Sequence, residues 1–338
     1  MRTLCAGELN RTLLRRQLLL RRMRLPVARA VGRLVALQAQ YAPSPYLALW
    51  ARVDGFRKGA LTDALIGGSV VKAGVMRGTL HVVTRDLYPL LEAAHIESQS
   101  GRIRGVGFDL AGVALAWPDE PLEPAAARAL GGRLLGTDDR WTVEFALRAM
   151  PFVRTAPIGT WPHNTPSPSV LWREPLAPPD VGAARVVRDY LAAYGPALRQ
   201  DVEQFTGFRL GQIDPALEGL RTFADEQGRV LYDVPGAPLA TAGVPAPVRF
   251  LPPFDSVILA HRDRGRILPD VYRDTVIRKK NGTMLPSFTA DGLIAGSWQA
   301  EETRGRFVVR WEPFEPLPLR VRREVESEAA RLAAFYAS

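Results

Sequence analysis

The sequence predicts an α+β fold in which tandem winged-helix domains are followed by a strand-rich C-terminal unit. Two observations indicate this fold. A run of helices followed by a two-stranded ribbon occurs twice along the chain, and the last part alternates apolar and polar residues between Gly-containing turns. A chain of 338 residues is long enough for two or three domains. We expect units at residues 1–117, 118–240 and 241–338.

The first unit is predicted from its order of helices and strands. Asn10 is a residue type that caps helices, and Pro26 suits the first position of the next helix. The predicted elements are helices at Asn10–Met23, from Pro26 and at Leu61–Ile66, strands at Val70–Met76 and Thr79–Val83 around Arg77-Gly78, and a helix from Thr84 toward Glu97.

The second unit repeats this order. Its predicted elements are helices at Gly182–Tyr194, from Gly195-Pro196 to Gly207 and at Leu210–Leu220, and a hairpin at Thr222–Asp233. Asp214 and Glu218 on the outer face of the third helix disfavour contact with phosphates, so a scaffolding role is at least as well supported as DNA reading. The Pro-rich connector at residues 152–180 fits either an ordered wrap or a linker.

The third unit is predicted to be rich in strands. Asp291-Gly292 is a strong hairpin signal, and Arg304-Gly305 marks a second turn. The predicted elements are strands at Met284–Thr289, Leu293–Gln299 and Arg306–Trp311 and a closing amphipathic helix at Leu319–Tyr336.

Composition excludes several classes of protein. One cysteine rules out an internal disulfide or a cysteine metal cluster, and four histidines are scattered without ligand spacing. We therefore expect neither a metal nor a cofactor. No apolar run approaches the roughly 18 residues of a membrane span, and the arginine-flanked N-terminus is not a signal peptide. We expect a cytoplasmic monomer with no membrane contact.

The net charge of +9 favours an anionic partner, nucleic acid first. Arginine forks suit phosphate oxygens, and several basic residues cluster in short runs. We expect DNA contacts from one run at His261, Arg262, Arg264 and Arg266, from a second at Lys279 and Lys280, and from the first wing at Arg77, Thr79 and His81. For His81 the sequence leaves open a second interpretation, a buried strand histidine.

Gln38 and Gln40 form the pair with the clearest chemical potential. Val27, Val31 and Leu34 recur at helical spacing, and Gln38 falls on the same stripe. Residues two apart diverge on a helix but share a side on an extended chain. Pro43 and Pro45 follow at once, so the helix is expected to stop here. Either two solvated glutamines end a helix, or two amides converge on one water molecule or polar group.

Taken together, these segments resemble the AlkZ-like family of bacterial DNA glycosylases. The resemblance rests on the order and spacing of four segments: Leu37-Gln38-Ala39-Gln40, Arg77-Gly78-Thr79-Leu80-His81, Tyr194-Gly195-Pro196-Ala197, and Leu251–Asp255 with the Asp263-Arg264, Asn281-Gly282 and Asp291-Gly292 pairs. It implies that Gln38 and Gln40 match the family's catalytic Gln-aliphatic-Gln motif. Gln40 places the chain on the branch that includes self-resistance enzymes of organisms making DNA-alkylating natural products.

The resemblance implies hydrolysis of the N-glycosidic bond of alkylated purines in double-stranded DNA. N7-alkylguanine is the expected type, with bulky natural-product adducts or crosslinks as further candidates. Neutral amides suit this chemistry, because an alkylated purine is already a cationic leaving group and the attacking water needs mainly orientation. The alternative is a non-catalytic winged-helix DNA-binding protein, for example a transcriptional regulator.

Overall fold

A computed structural model describes residues 1–104, 107–278 and 282–338, with the backbone alone at 100–104. The first region contains α1 (Ala6–Arg16), α2 (Val27–Leu34), β1 (Leu37–Gln38), α3 (Ser44–Arg52), α4 (Lys58–Ile66), β2 (Val70–Val75), β3 (Thr79–Thr84) and α5 (Tyr88–Arg104). The ribbon formed by β2 and β3 confirms the predicted pair of strands.

Two helix starts differ from the prediction. Cys5, not Asn10, caps α1: its Sγ accepts the Glu8 N–H, and the Glu8 carboxylate returns to the Cys5 N–H. Helix α3 was not predicted, because Pro43 and Pro45 suggested a break. Both prolines lie at the start of α3, where a missing N–H costs nothing.

The Pro-rich connector is an ordered wrap. After α6 (Leu110–Ala116), α7 (Pro124–Leu135) and α8 (Arg140–Leu147), the chain forms β4 (Phe152–Arg154) and β5 (Ser169–Leu171). These strands complete an antiparallel sheet in the order β1-β3-β2-β4-β5. The predicted boundary at residue 117 therefore separates strands of one sheet. The division into winged-helix units otherwise stays a prediction.

The middle region follows the predicted order of elements. It contains α9 (Pro179–Tyr194), α10 (Arg199–Thr206), α11 (Leu210–Leu217), β6 (Arg221–Ala224) and β7 (Val230–Asp233). Gly207 ends α10 with a φ of 74°, a left-handed conformation that glycine adopts at little cost. The hairpin of β6 and β7 confirms the predicted one.

The C-terminal region confirms the predicted strand-rich unit. Its elements are β8 (Arg249–Leu251), α12 (Ser256–Leu259), α13 (Arg273–Val276), β9 (Ile277–Arg278), β10 (Thr283–Met284), β11 (Ser287–Ala290), β12 (Leu293–Thr303), β13 (Arg306–Pro313) and α14 (Leu319–Ala337). The main sheet has the order β13-β12-β11-β8.

The first sheet is buried on both faces, and this decides where its polar residues lie. On one face Val71, Ala73 and Val83 join the cluster formed with α5 and α9. On the other face Val70 and Val82 pack with residues of α2, α3 and α4. Because strand side chains alternate, each polar residue of β1 and β3 is assigned to one of these faces by its position.

Buried ion pairs tie the regions together. The guanidinium of Arg52 in α3 donates to both oxygens of Asp255, at 2.8 and 2.7 Å, with both side chains about 1% exposed. Removing one partner of such a pair leaves a buried charge and costs about 3–5 kcal/mol. In the part of the chain that the structure describes, no helix is long and apolar enough to cross a membrane.

Candidate active site

Gln38 lies in strand β1, Gln40 lies two residues later at a bend, and neither is on a helix. Helix α2 ends at Leu34, so the prediction that Gln38 continues its apolar stripe is wrong. Val35 turns the chain with a φ of 66°, which is unusual for a β-branched residue. Strand β1 then pairs Gln38 with His81 of β3. Gln38 is paired with His81 and the Gln40 side chain contacts Leu80, so both glutamines lie beside the start of β3.

Two buried hydroxyls support the strained turn before β1. Tyr194 Oη donates to the Leu34 carbonyl and Ser256 Oγ to the Ala36 carbonyl, each at 2.9 Å. Tyr194 ends α9, and Ser256 follows Asp255 in the third region. Tyr194 and Ser256, which are distant in sequence, therefore stabilise the turn that positions Gln38 and Gln40.

The two carboxamides have different surroundings. Gln40 is exposed, and its Oε1 accepts the Leu80 N–H at 3.3 Å, which leaves its amide N–H groups as donors. Gln38 is partly buried, and no described group donates to its buried Oε1. One glutamine is held by the backbone of β3, and the other has an unused acceptor.

The strand register brings His81 next to Gln38. The Ala39 N–H donates to the Leu80 carbonyl at 2.8 Å, which marks that position as a hydrogen-bonded pair. The adjoining Gln38–His81 pair is then of the non-hydrogen-bonded type, in which Cα atoms lie about 4.5 Å apart and side chains are closer. Both side chains project from the face that packs against α5 and α9.

His81 is an interior residue, which agrees with the second interpretation of the sequence, and its DNA contact stays a prediction. Its side chain is 2% exposed, and its Nδ1 lies 2.8 Å from the Thr79 carbonyl. Burial lowers the pKa of His81 to about 3, with a further lowering from the nearby charge of Arg77. The imidazole is therefore neutral throughout the physiological range.

Helix α5 supplies two further buried titratable groups. Burial lowers the pKa of His95 to about 4 and raises the pKa of Glu92 well above its ordinary value. His95 is therefore neutral at neutral pH, burial favours the protonated form of Glu92, and His95 is close enough to influence the titration of His81. Neither glutamine forms a hydrogen bond with an ionised acid in the described part of the chain. The arrangement can orient a polar ligand but offers no strong base.

The turn between β2 and β3 docks on the middle region. Arg77 Nη1 donates to the Gln204 carbonyl at 3.3 Å, and its guanidinium lies 5.7 Å from the centre of the Phe205 ring. Burial lowers the pKa of Arg77 to about 10, so the side chain stays cationic at the C-terminal end of α10. The Arg77 side chain is thus engaged by α10, and its DNA contact stays a prediction. Thr79 is partly buried, and its DNA contact stays a prediction.

The second basic run divides into interior and surface residues. His261 is 2% exposed, and Arg266 Nη1 donates to its Nε2 at 3.1 Å and to the Pro196 carbonyl at 2.6 Å. His261 is thus an interior residue and Arg266 a partly buried one that is bonded within the fold, and their DNA contacts stay predictions. Arg262 is exposed and Arg264 partly buried, so their DNA contacts stay predictions. Lys279 and Lys280 lie outside the described residues.

Sequence reasoning missed the groups that support the pair. Tyr194 and Asp255 stand in segments that carry the family resemblance, but the hydrogen bond to Leu34 and the ion pair with Arg52 join residues far apart in sequence. His95 and Glu92 were detectable only as polar residues on the buried stripe of a helix. Among the described residues, no cluster of three or more His, Cys, Asp or Glu residues could hold a metal ion.

Comparison with known proteins identifies the family. The model of the DNA glycosylase AlkZ-like family matches residues 31–335. The chain belongs to this family. It is a DNA glycosylase, a hydrolase of DNA repair, which confirms the enzyme class expected from the sequence.

A solved structure supports the fold of this AlkZ-like protein. The Streptomyces sahachiroi DNA glycosylase AlkZ superposes with a TM-score of 0.77 at 22% identity, covering 98% of this chain and 96% of the other. At this identity the likeness shows the fold alone. A search of curated proteins found no match.

Proposed function

We propose that this AlkZ-like enzyme hydrolyses the N-glycosidic bond of alkylated purines in double-stranded DNA, with N7-alkylguanine as the type of lesion. The observation that carries the proposal is that Gln38 and Gln40 both lie beside the start of β3, Gln38 paired with His81 and Gln40 bonded to Leu80. In this proposal the two carboxamides hold the attacking water, and the enzyme leaves an abasic site without cutting the strand.

The electrostatics of the site suit a substrate that is already activated. Alkylation at N7 makes the purine cationic, so bond cleavage leaves a neutral base and needs little acid catalysis. Burial favours the uncharged forms of Glu92 and His95, and an amide is a poor proton acceptor. Catalysis by this site is therefore mainly orientation of the water, a contribution that positioned groups supply efficiently.

The surface charge fits a DNA substrate. The net charge of +9 favours the phosphate backbone, and Arg262 is an exposed candidate for such a contact. Bulky natural-product adducts, crosslinks and a role in self-resistance belong to the same proposal, as do a monomeric state and a cytoplasmic location.

The proposal is tested by excision from a duplex with one N7-methylguanine, read by alkaline cleavage of the abasic product. We expect cleavage at the lesion with the wild-type enzyme and a large loss in the Gln38→Ala/Gln40→Ala double variant. Equal cleavage by both proteins would place the active site elsewhere. Binding without excision by the wild-type enzyme, across a panel of cationic alkylpurines, would contradict the proposal.

A further inference from the structure

The tautomer of His81 follows from its hydrogen bond. The Thr79 carbonyl only accepts, so the ring nitrogen that lies 2.8 Å from it, Nδ1, must carry the proton. In a neutral imidazole the other nitrogen, Nε2, is then an acceptor. Because burial keeps the ring neutral, Nε2 keeps this acceptor character at physiological pH.

The Gln38 carboxamide has a buried atom without a hydrogen-bond partner. In the structure its buried amide atom is Oε1, which no described group satisfies. A buried acceptor without a donor costs about 1–3 kcal/mol. The two ends of a carboxamide have nearly the same shape, so rotating the amide by 180° exchanges them without changing the packing. The buried atom is then Nε2, a donor, and the residue paired with Gln38 across the strands is His81.

We propose that His81 is a positioning residue that orients the Gln38 carboxamide. His81 Nε2 accepts a Gln38 N–H, and this contact turns the Gln38 oxygen toward the attacking water. The proposal rests on the proposed function, because it assigns a task to Gln38 in the same reaction. Its geometric basis is the cross-strand pairing of the two residues in the register where side chains approach most closely.

The surroundings keep His81 in this role over a wide pH range. The groups that face it are the Thr79 carbonyl on its own strand, the Arg77 guanidinium from the β2–β3 turn and His95 from α5. Arg77 and His95 disfavour a charged imidazole, and only the Thr79 carbonyl favours it. The excision rate should therefore show no inflection near pH 6.5, where an exposed histidine titrates.

Two substitutions of His81 distinguish a role in orienting Gln38 from a purely structural role of the histidine. In His81→Asn the amide nitrogen reaches the position of Nδ1, so the bond to Thr79 is kept and the Nε2 acceptor is lost. In His81→Gln the terminal amide oxygen reaches the position of Nε2, so the acceptor is kept and the Thr79 bond is lost. Orientation of Gln38 predicts that the Asn variant is the slower enzyme, whereas a structural role predicts the opposite order.

We expect His81→Asn to slow single-turnover excision of N7-methylguanine by about tenfold or more, the loss of one positioning hydrogen bond. DNA affinity should stay close to that of His163→Asn, which changes an exposed histidine, whereas the melting temperature should fall because the buried Gln38 amide loses its partner. Wild-type excision by His81→Asn overturns the inference, and this variant alone decides if His81→Gln does not fold.

A double-variant cycle shows whether His81 acts through Gln38. In a Gln38→Ala background, His81→Asn should cause no further loss, because the group it orients is gone. Additive losses overturn the inference while leaving the proposed function intact. Failure of the proposed function is recognised separately, since the wild-type enzyme then excises no alkylpurine at all.

Discussion

Gln40→Ala separates catalysis from stability, because the side chain is exposed and makes one weak backbone contact. Its Oε1 accepts the Leu80 N–H at 3.3 Å, and water replaces this bond when the amide is removed. We expect the free energy of unfolding to fall by at most about 1 kcal/mol. Loss of a positioned polar group at the reacting atoms typically slows catalysis by about 10²–10³-fold, or about 2.7–4 kcal/mol. The rate effect should therefore far exceed the stability effect.

The assay is single-turnover excision of N7-methylguanine with enzyme in excess, measured beside thermal unfolding and DNA binding. Gln227→Ala is a matched control: Gln227 is also exposed, and its Oε1 accepts an N–H of Arg229 at the same 3.3 Å. We expect wild-type excision from the control and unchanged DNA affinity in both variants, since neither change alters charge. A wild-type rate in Gln40→Ala, or an equal loss in Gln227→Ala, would refute the reasoning.

Three further predictions concern the supports of the site and its surface. Tyr194→Phe should lower the free energy of unfolding by about 0.5–1.5 kcal/mol, because the Leu34 carbonyl loses one of its two donors and keeps the Ala36 N–H at 2.8 Å. The variant should also slow excision, and unchanged stability and rate would show that Tyr194 does not support the site. Glu92→Gln should raise the melting temperature at pH 8 but not at pH 4. Folding raises the pKa of Glu92, so the carboxyl group costs no stability below its unfolded pKa, where it is protonated in both states. Stability is lost as the pH rises toward the folded pKa, and the uncharged glutamine avoids that loss. Equal effects at both pH values would show that Glu92 is not held protonated. Arg262→Ala should weaken binding to damaged and undamaged DNA alike, and the slope of log binding constant against log salt concentration should fall in magnitude by about 1, with no change in melting temperature. Arg266→Ala, which removes a side chain bonded to the Pro196 carbonyl, should instead destabilise the protein. A binding constant of Arg262→Ala identical to wild type over a salt series would exclude Arg262 from the interface.

Local signals predicted much of the fold. The turns at Arg77-Gly78 and Asp291-Gly292 were read correctly, since turn residues and alternating strands act over short distances. The order of α9, α10 and α11 followed from apolar spacing. The helix over Ser44–Arg52 was missed because a proline signals either a break or a first turn, and local sequence does not distinguish them.

The features that the sequence did not predict depend on contacts between residues far apart in the chain. Strand β4 pairs with β2, about 80 residues earlier in the chain, and β5 pairs with β4, so local sequence gave no sign that both strands belong to the first sheet. From the sequence, the basic run at 261–266 was predicted to form one DNA-binding surface. The bonds of Arg266 to the Pro196 carbonyl and to His261 are tertiary contacts, which local sequence does not reveal. Gln38 and Gln40 were singled out as a candidate pair because side chains two residues apart lie on the same side of an extended chain. Their supports, Tyr194 and Ser256, come from other regions of the chain and left no local signal.

The central claim is that two neutral amides at Gln38 and Gln40 suffice for catalysis because the substrate base is already cationic. It is tested most directly by comparing release of the free base from duplexes that carry N7-methylguanine or O6-methylguanine, with mass spectrometric detection of the product. The account predicts release of N7-methylguanine alone, since O6-methylation leaves the base uncharged and a poor leaving group. Comparable release of both bases would contradict it, because excision of an uncharged base requires an acid or base stronger than the amides supply.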